Sequence, residues 1–412
     1  MAAVRGNPDK EEAEFPGEHG PRIGFVVQRY GPGIAGGSEQ LCRAVAERLS
    51  HRCVCEVLTT CAEDYMTWQD VLPPGLSECN GVRVRRFPVD QPRDVARFNA
   101  FSGKIFHQDA SPEEEEQWMR MQGPYSTALL EHLRREQAGY DAFLFFTYLY
   151  GTTYYGLPLV REKAVLAPTA HDEPPVYLSI FDPLFRQARR LLFLTPEEQE
   201  FVYRRFCLPG DKGEVVGAGM DPLSPPGELP AEVRQRLGGN PYILYLGRID
   251  PSKGCGVLLE YFQRFLTRNP GSKLRLVLAG KAEMKVPQHE RILAPGYLTE
   301  EAKTRCIDEA LCMVTPSPYE SLCIAALEAW TRSKPVLANG ESKVLVGQCQ
   351  RSRGGLWYRN YEEFEICLEM LVRDAGLRAS LGAAGADFVK RQHDWESAGQ
   401  RYLRNILSVA RA

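Results

Sequence analysis

Short apolar runs alternate with stretches of helical spacing along almost the whole chain, and this alternation limits the possible folds. Near-continuous apolar strands between helices are typical of parallel sheets that are covered on both faces. The pattern therefore predicts an α/β fold with two Rossmann-like domains facing a cleft, where ligands bind at the carboxyl ends of the strands. The predicted strands are Ile23–Val27, Val54–Thr59, Val82–Val89, Ala142–Thr147, Ala164–Pro168, Leu191–Thr195, Val215–Val216, Tyr242–Leu246, Leu274–Ala279, Cys312–Thr315 and Val336–Ala338.

A segment rich in proline and glycine, Met220–Pro230, separates the two halves and is typical of a linker. A chain of 412 residues has room for two or three domains of about 100–200 residues each. We expect a flexible tail over residues 1–20, a first domain over 21–220, a linker over 221–240 and a second domain over 241–393. A last helix is predicted at Trp395–Val409.

Composition excludes several classes of protein. The net charge of −3 gives no overall basic field for nucleic acid. The 12 cysteines include no C-x-x-C pair, and several lie in apolar runs, so we expect reduced thiols and a cytoplasmic protein. No apolar run reaches the ~18 residues of a membrane span. The arginine-rich segments Val82–Arg97 and Arg186–Arg190 suggest either peripheral membrane contact or, as we favour, solvated surface.

The charged stretch Pro112–Gln137 predicts one helix, with Glu113–Glu116 as its solvated first turn.

Two glutamates separated by seven residues, Glu320 and Glu328, mark a predicted strand-to-helix turn. The strand before them leads into Pro316-Ser317-Pro318, so Glu320 lies at the mouth of the turn and Glu328 on the helix. Unpaired N–H groups and the positive dipole at such a helix start favour an anion such as a diphosphate. The alternative is a helix with one acid at its N-terminus and a second, solvated acid.

Two other segments carry groups suited to phosphate. Gly36 and Gly37 open a predicted helix and allow close approach of the backbone, although the segment also fits an ordinary loop capped by Ser38. Arg248 and Lys253 lie on one loop, where a rigid fork and a mobile point charge can neutralise a diphosphate.

Two more loops follow predicted strands. His171 has a side chain that can exchange hydrogen bonds with a sugar hydroxyl, or it is satisfied by a neighbouring carboxylate. A zinc site there has no second ligand at suitable spacing. The segment Ala294–Leu298 fits a plain strand-to-helix turn equally well.

These segments, in this order, resemble the retaining glycosyltransferases of family GT4, which have the GT-B fold and an E-x7-E signature. The resemblance implies that Glu320 and His171 lie beside the donor sugar, that Glu328 holds the ribose, and that Arg248 and Lys253 act on the diphosphate. It adds to the donor site Gly36, Gly37, Gly247, Pro295, Gly296, Tyr297, Ser321, Leu322 and Cys323.

The same resemblance implies that residues 394–412 complete the first domain. The chain departs from the family where the first glutamate is followed by Gly, an aromatic residue and Gly, because Ser321, Leu322 and Cys323 stand there. The change leaves the backbone N–H groups in place but alters how closely the backbone approaches the sugar.

The resulting hypothesis is a retaining glycosyltransferase that moves a sugar from a nucleoside-diphosphate sugar to a hydroxyl acceptor, which is a glycan, a lipid-linked sugar or a small molecule. It needs no cofactor and no metal, because two cations and helix termini replace the metal. Two alternatives stay open: a nucleotide-sugar epimerase with the same fold, and a protein that binds the nucleotide sugar without catalysis.

Overall fold

The computed structural model describes residues 20–410 except 35 and 108. The predicted tail lies almost wholly outside these residues. The chain divides into two compact units. The first runs to Pro168 and adds Leu178–Leu191 and the chain from Tyr402, whereas the second comprises Thr169–Tyr177 and Leu192–Arg401. The predicted domain boundaries differ from this division and stay predictions.

The described residues form fourteen strands. They are β1 (Arg22–Val26), β2 (Val54–Thr60), β3 (Gly75–Cys79), β4 (Val82–Phe87), β5 (Ala142–Phe146), β6 (Ala164–Ala167), β7 (Arg190–Phe193), β8 (Gly213–Val215), β9 (Tyr242–Leu246), β10 (Arg275–Ala279), β11 (Ile292–Gly296), β12 (Met313–Thr315), β13 (Val336–Asn339) and β14 (Gly355–Tyr358).

The strands build two sheets, in the orders β3-β4-β2-β1-β5-β6-β7-β8 and β11-β10-β9-β12-β13-β14. β1 runs parallel to β2 and β5, whereas the edge strand β3 pairs antiparallel with β4. In the second sheet β9 runs parallel to β10 and β12. This architecture confirms the predicted α/β fold with two parallel sheets.

The α-helices of the described chain number fifteen. They are α1 (Gly37–Leu49), α2 (Val95–Ile105), α3 (Pro112–Gln122), α4 (Thr127–Glu136), α5 (Gly151–Gly156), α6 (Phe181–Gln187), α7 (Pro196–Phe206), α8 (Ala231–Leu237), α9 (Cys255–Arg268), α10 (Glu300–Glu309), α11 (Ile324–Thr331), α12 (Lys343–Ser352), α13 (Tyr361–Arg373), α14 (Ala375–Gln392) and α15 (Trp395–Ala410).

Burial explains why these segments are ordered. All five residues of β5 are buried, as expected for a central strand that is covered on both faces. Around the second sheet, α9 buries one side through Leu258, Phe262 and Phe265 in a cluster that includes strand residues of β9 and β10. Each sheet therefore has its own apolar core, which holds the loops at the strand ends in fixed positions.

The prediction of one helix over Pro112–Gln137 was wrong. α3 ends at Gln122 and α4 begins at Thr127, because Gly123 has a positive φ and Pro124 has no N–H to continue the helix. The glutamates of α3 are also not all solvated. Glu115 is buried and accepts hydrogen bonds from Ser179 Oγ at 2.7 Å and from the Ile180 N–H at 3.0 Å.

Three strands were not predicted, namely β3, β11 and β14. β3 and β11 are edge strands, and β3 is exposed along most of its length, so neither carries the continuous apolar run of a central strand. Within the predicted linker, residues 221–230 form neither helix nor strand, and α8 follows them.

Two further features concern the whole described chain. All twelve cysteines are free. None of the described helices is both long and apolar enough to cross a membrane.

Candidate functional site

The two most prominent sequence segments meet through an ion pair. Lys253 Nζ lies 2.9 Å from Glu320 Oε1, and the side chains are 34% and 15% exposed. Lys253 comes from the loop after β9 and Glu320 from the loop after β12, and these strands are neighbours in the sheet. Burial lowers the pKa of Lys253, but the Glu320 carboxylate outweighs this effect and the net pKa is raised. The site therefore has a charged ammonium at the carboxyl edge of the sheet.

Asp250 organises both cations of the loop after β9. Its carboxylate accepts hydrogen bonds from Arg248 Nε, from Ser252 Oγ at 2.6 Å and from the Lys253 N–H at 3.0 Å. Burial raises the pKa of Asp250, but the bonds from Ser252 and Arg248 outweigh it and the net pKa is lowered. Asp250 is thus an anion that aims the Arg248 guanidinium and caps the short helical turn Pro251–Lys253.

His171 belongs to the same unit, and the charges of Lys253 and Glu320 both influence its pKa. Its Nδ1 lies 3.0 Å from Glu173 Oε1, and the His171 side chain is 27% exposed. Burial lowers the pKa of His171, but Glu173 raises it more, with Lys253 and Glu320 as smaller opposing influences. The partner is therefore Glu173 rather than the adjacent Asp172, which accepts a hydrogen bond from Tyr177.

The loop after Glu320 is fixed by side chains from other elements. The Ser321 carbonyl accepts a hydrogen bond from Thr195 Oγ1 at 3.1 Å, and the Leu322 carbonyl accepts one from Gln348 Nε2 at 2.7 Å. Cys323 occupies the N-cap of α11 with a left-handed φ of 57° and no side-chain capping bond. The backbone therefore keeps, with a cysteine, a conformation that normally favours glycine.

Glu328 lies on α11, as predicted, in a second ion cluster. Lys303 Nζ lies 2.7 Å from Glu328 Oε1 and 2.7 Å from Glu300 Oε2. Burial lowers the pKa of Lys303, but Glu328 outweighs it and the pKa is raised. A carboxylate has two oxygens with about four acceptor positions, so a pair with one oxygen leaves Glu328 able to accept further hydrogen bonds.

The remaining predicted residues of this unit lie at strand ends. Gly247 directly follows β9. Pro295 and Gly296 are the last residues of β11 rather than a free loop, and an edge strand tolerates a proline. Tyr297 comes next and is 69% exposed, so its ring is open to a planar partner.

Gly36 and Gly37 lie in the first unit at the start of α1. Gly36 is the N-cap, so the proposal of Ser38 as the cap was wrong. A Cβ at Gly36 would overlap the Glu39 carboxylate, which folds back over the helix start. Arg29 Nε holds that carboxylate at 2.9 Å in a buried ion pair. The glycine is required by close packing against this pair.

Several residues of the site were not found from the sequence. Asp250 had a recognisable signal, since an Asp before a Pro is a common N-cap. Glu173 is one of the two neighbouring carboxylates that the sequence offered to His171. Thr195, Lys303 and Gln348 gave no signal, because each reaches its partner only through the fold. In the described part of the chain, no group of three His, Cys, Asp or Glu side chains is arranged to hold a metal ion.

A large part of the second unit matches a known family of enzymes. Residues 240–374 match the model of the family Glycosyl transferases group 1. The D-inositol 3-phosphate glycosyltransferase of Rhodococcus jostii is 25% identical over 288 residues, which is 61% of this chain and 61% of that protein. The alpha-D-kanosaminyltransferase of Streptomyces kanamyceticus is 24% identical over 290 residues, covering 64% and 73%. The chain thus spans less than two thirds of the length of the inositol phosphate enzyme.

Solved structures share the fold over nearly the whole chain. The alpha,alpha-trehalose-phosphate synthase of Burkholderia vietnamiensis has a TM-score of 0.71 at 13% identity, covering 96% of this chain and 98% of that one. HepE of Anabaena, in complex with UDP-glucose, has a TM-score of 0.66 at 14% identity, covering 94% and 99%. Residues 240–374 thus match a glycosyltransferase family, and the chain has the GT-B fold of these solved structures.

Proposed function

We propose that the protein transfers a sugar from a nucleoside-diphosphate sugar to a hydroxyl acceptor, retains the anomeric configuration and needs no metal ion. The observation that carries the proposal is the Lys253–Glu320 ion pair, whose charges also act on His171. The pair joins two of the loops that the GT4 resemblance assigns to the donor, and His171 belongs to a third. Such a position at the carboxyl ends of parallel strands is where ligands of this fold class bind.

Lys253 and Arg248 are the groups for the diphosphate. An ammonium has three donors, so Lys253 can hold Glu320 with one and phosphate oxygens with the others. Asp250 orients Arg248, which reduces the reorganisation needed when charge develops on the leaving group. These two cations perform the stabilisation that a metal ion supplies in other phosphate sites.

In the proposed reaction the bond between the anomeric carbon and the phosphate oxygen breaks as the acceptor oxygen attacks from the same face. The electron pair of the broken bond goes to the nucleoside diphosphate, and the proton of the acceptor hydroxyl passes to its phosphate oxygen. Glu320 and His171 hold the sugar during this step, and Glu328 accepts hydrogen bonds from the ribose. Carboxylates beside the sugar also favour the developing positive charge on the ring.

The first experiment is thermal stabilisation of the purified protein by a panel of nucleoside diphosphates and nucleotide sugars, without added metal. A ligand that binds only the native state raises the stability by RT ln(1 + [L]/Kd). Uridine nucleotides come first, because HepE, which has the same fold, was solved with UDP-glucose. We expect a shift for one base that is unchanged by a chelator. No shift for any compound would contradict the proposal.

Two variants test the site itself. Arg248→Ala should abolish the shift, whereas Arg264→Ala should keep it, because Arg264 pairs with Glu362 on the exposed side of α9. Glu320→Gln should reduce turnover about 100-fold or more, yet leave the affinity for the free diphosphate equal or higher, since Lys253 is then released from its carboxylate. A loss of diphosphate affinity in Glu320→Gln would argue against this division of roles.

Ser321, Leu322 and Cys323 stand where the GT4 family has Gly, an aromatic residue and Gly, and this difference is the reason to test whether the protein binds the nucleotide sugar without catalysis. A protein that only binds nucleotide sugars would show the base-specific shift but would release no nucleoside diphosphate when offered sugar acceptors. An epimerase would convert the donor without any acceptor. Product analysis by chromatography separates these three results.

A further inference from the structure

A buried carboxylate at the start of α7 has no place in the function proposed above. Glu198 is 1% exposed. Its Oε1 accepts the Ala170 N–H at 2.8 Å, and its Oε2 accepts the Leu194 N–H at 2.7 Å. Both oxygens are therefore bonded to backbone donors, and the positive end of the helix dipole favours an anion at this position.

The two amides belong to different loops. Ala170 lies in the loop after β6, one residue before His171, and Leu194 follows β7 directly. Glu198 therefore bridges two loops that are 24 positions apart in the chain. Because Ala170 adjoins His171, the backbone that carries the imidazole is fixed by this bond.

The same helix start also reaches the Glu320 loop. Thr195 caps α7 by accepting the Glu198 N–H, and its Oγ1 donates to the Ser321 carbonyl at 3.1 Å. In addition, Glu197 forms an ion pair with Arg351 of α12. The first turn of α7 is thus bonded to the loops of His171 and of Glu320, the two groups that the proposed function places beside the donor sugar.

We propose that Glu198 is a positioning residue that holds the His171 loop, through the Ala170 and Leu194 amides, in register with Lys253 and Glu320. This proposal rests on the proposed function. Glu198 acts through the backbone next to His171 and does not contact the substrate. Its role is to keep the imidazole at the distance from the Lys253–Glu320 pair that the sugar requires.

The charges around Glu198 give the proposal a pH dependence. His171 is the titratable side chain whose charge acts on Glu198, and the charges of Glu173, Lys253 and Glu320 act in turn on His171. Burial raises the pKa of Glu198 to about 7, opposed by the backbone bonds from Leu194 and Ala170. The ionised form accepts both amides, whereas in the protonated form one oxygen becomes a donor. The loop is therefore held best above neutral pH.

Hydrogen exchange of the full chain, read by mass spectrometry or NMR, tests the contact directly. In Glu198→Gln we expect the amides of Ala170 and Leu194 to exchange about tenfold faster, because the amide side chain offers only one acceptor oxygen. Glu200→Gln is the matched control, since Glu200 lies on the same helix and is 75% exposed. Unchanged exchange at residues 170 and 194 in Glu198→Gln would overturn the proposal.

Kinetics test the functional part with the donor found in the nucleotide panel. We expect Glu198→Gln to lower kcat about 100-fold, as for a small misplacement of a binding group, while Kd for the free nucleoside diphosphate stays within about twofold. The wild-type rate should also fall below pH 7, and this fall should be absent in the variant. A Kd that weakens as much as kcat, or a kcat equal to that of Glu200→Gln, would overturn the positioning role.

The two proposals fail in different ways. If the wild type binds no nucleoside diphosphate, the proposed function falls, and the exchange measurement alone decides whether Glu198 holds the loop. If Glu198→Gln does not fold, Glu198→Asp replaces it: the shorter side chain keeps the charge and should release one of the two amides. Full protection of both amides in Glu198→Asp would then overturn the proposal.

Discussion

Two loops of the candidate site both end in a residue with a positive φ before a helix, but they accommodate this residue in different ways. The loop after β9, residues 247–254, ends in Gly254, which has a φ of 73° and lies so close to the Pro316 carbonyl that a Cβ would overlap it. The loop after β12, residues 316–323, ends in Cys323, which has a φ of 57° and carries a side chain. Both loops lead into a helix, but only the first requires glycine for space.

The difference lies in what holds each backbone. The first loop packs backbone against backbone, and Asp250 bonds within the loop itself. The second is tied by side chains from other elements, Thr195 and Gln348. Tight backbone packing restricts the residue types in the first loop itself. Bonds from side chains of other elements hold the second loop whatever residue types the loop contains. The second loop therefore has its left-handed residue without glycine at position 323.

Gly254→Ala should have the largest effect on stability. The new Cβ meets a backbone oxygen that cannot move away, and the residue must also keep a positive φ, so we expect a loss of about 3 kcal/mol or more in unfolding free energy. Gly256→Ala is the control, because its Cβ would lie 4.0 Å from Met284 Cε and it should stabilise by up to about 1 kcal/mol. Denaturant unfolding measures both. Equal changes in unfolding free energy for Gly254→Ala and Gly256→Ala would show that the first loop does not require glycine at position 254.

Two carboxylates, Glu198 at the start of α7 and Asp250 in the first loop, should change the stability with pH in opposite directions. The pKa of Glu198 is raised from 4.5 to about 7 by burial, so the unfolded chain releases this proton first as pH rises. The stability it contributes is present below pH 4.5 and lost as pH rises through about 7, a change of about 3 kcal/mol. The wild type should lose this amount relative to Glu198→Gln over that interval.

The contribution of Asp250 to stability changes with pH in the opposite direction to that of Glu198. Its pKa is lowered from 3.8, so its contribution is present above pH 3.8 and lost as pH falls through the lower folded pKa. The stability of the wild type relative to Asp250→Asn should therefore fall in acid. If the difference in unfolding free energy between wild type and variant changed with pH in the same direction for Glu198→Gln and Asp250→Asn, the pKa directions would be contradicted.

Thr195→Val should cost about 2 kcal/mol, because it removes both the cap of α7 and the bond to the Ser321 carbonyl. Thr299→Val is the matched change, since Thr299 caps α10 by accepting the Ala302 N–H. It should cost about 1 kcal/mol and leave turnover unchanged. If the two variants lose the same stability and activity, the bond to the second loop contributes nothing.

Cys323→Gly should have the smallest effect. Glycine removes about 1–2 kcal/mol of left-handed strain but adds backbone entropy to the unfolded chain and loses a buried thiol. We expect the unfolding free energy to change by less than about 1 kcal/mol in either direction. A loss above about 2 kcal/mol would show that the cysteine side chain, rather than the side-chain ties, holds the loop.

Prediction from sequence worked where a contact is local. Most central strands, such as β5 and β9, were located within one or two residues because their apolar runs are continuous. The positions of Glu320 at the turn and Glu328 on α11 followed from the strand and the prolines before them. Edge strands such as β3 failed because exposure removes the apolar signal. The neighbouring carboxylate suggested for His171 is Glu173, a local contact, whereas the partner of Glu328 was missed because an ion pair across the fold leaves no trace in spacing.

The sequence by itself determined the two-sheet α/β architecture, the order of the candidate site loops and the place of Glu320 and Glu328 at a strand-to-helix turn. These depend on periodicity and on local backbone geometry, which are properties of neighbouring residues. Only the tertiary structure decided that Lys253 pairs with Glu320, that Asp250 aims Arg248, and that the first turn of α7 ties together the loops of His171 and Glu320. Burial and charge pairing act between residues distant in the chain, and the fold alone brings them within a hydrogen bond of each other.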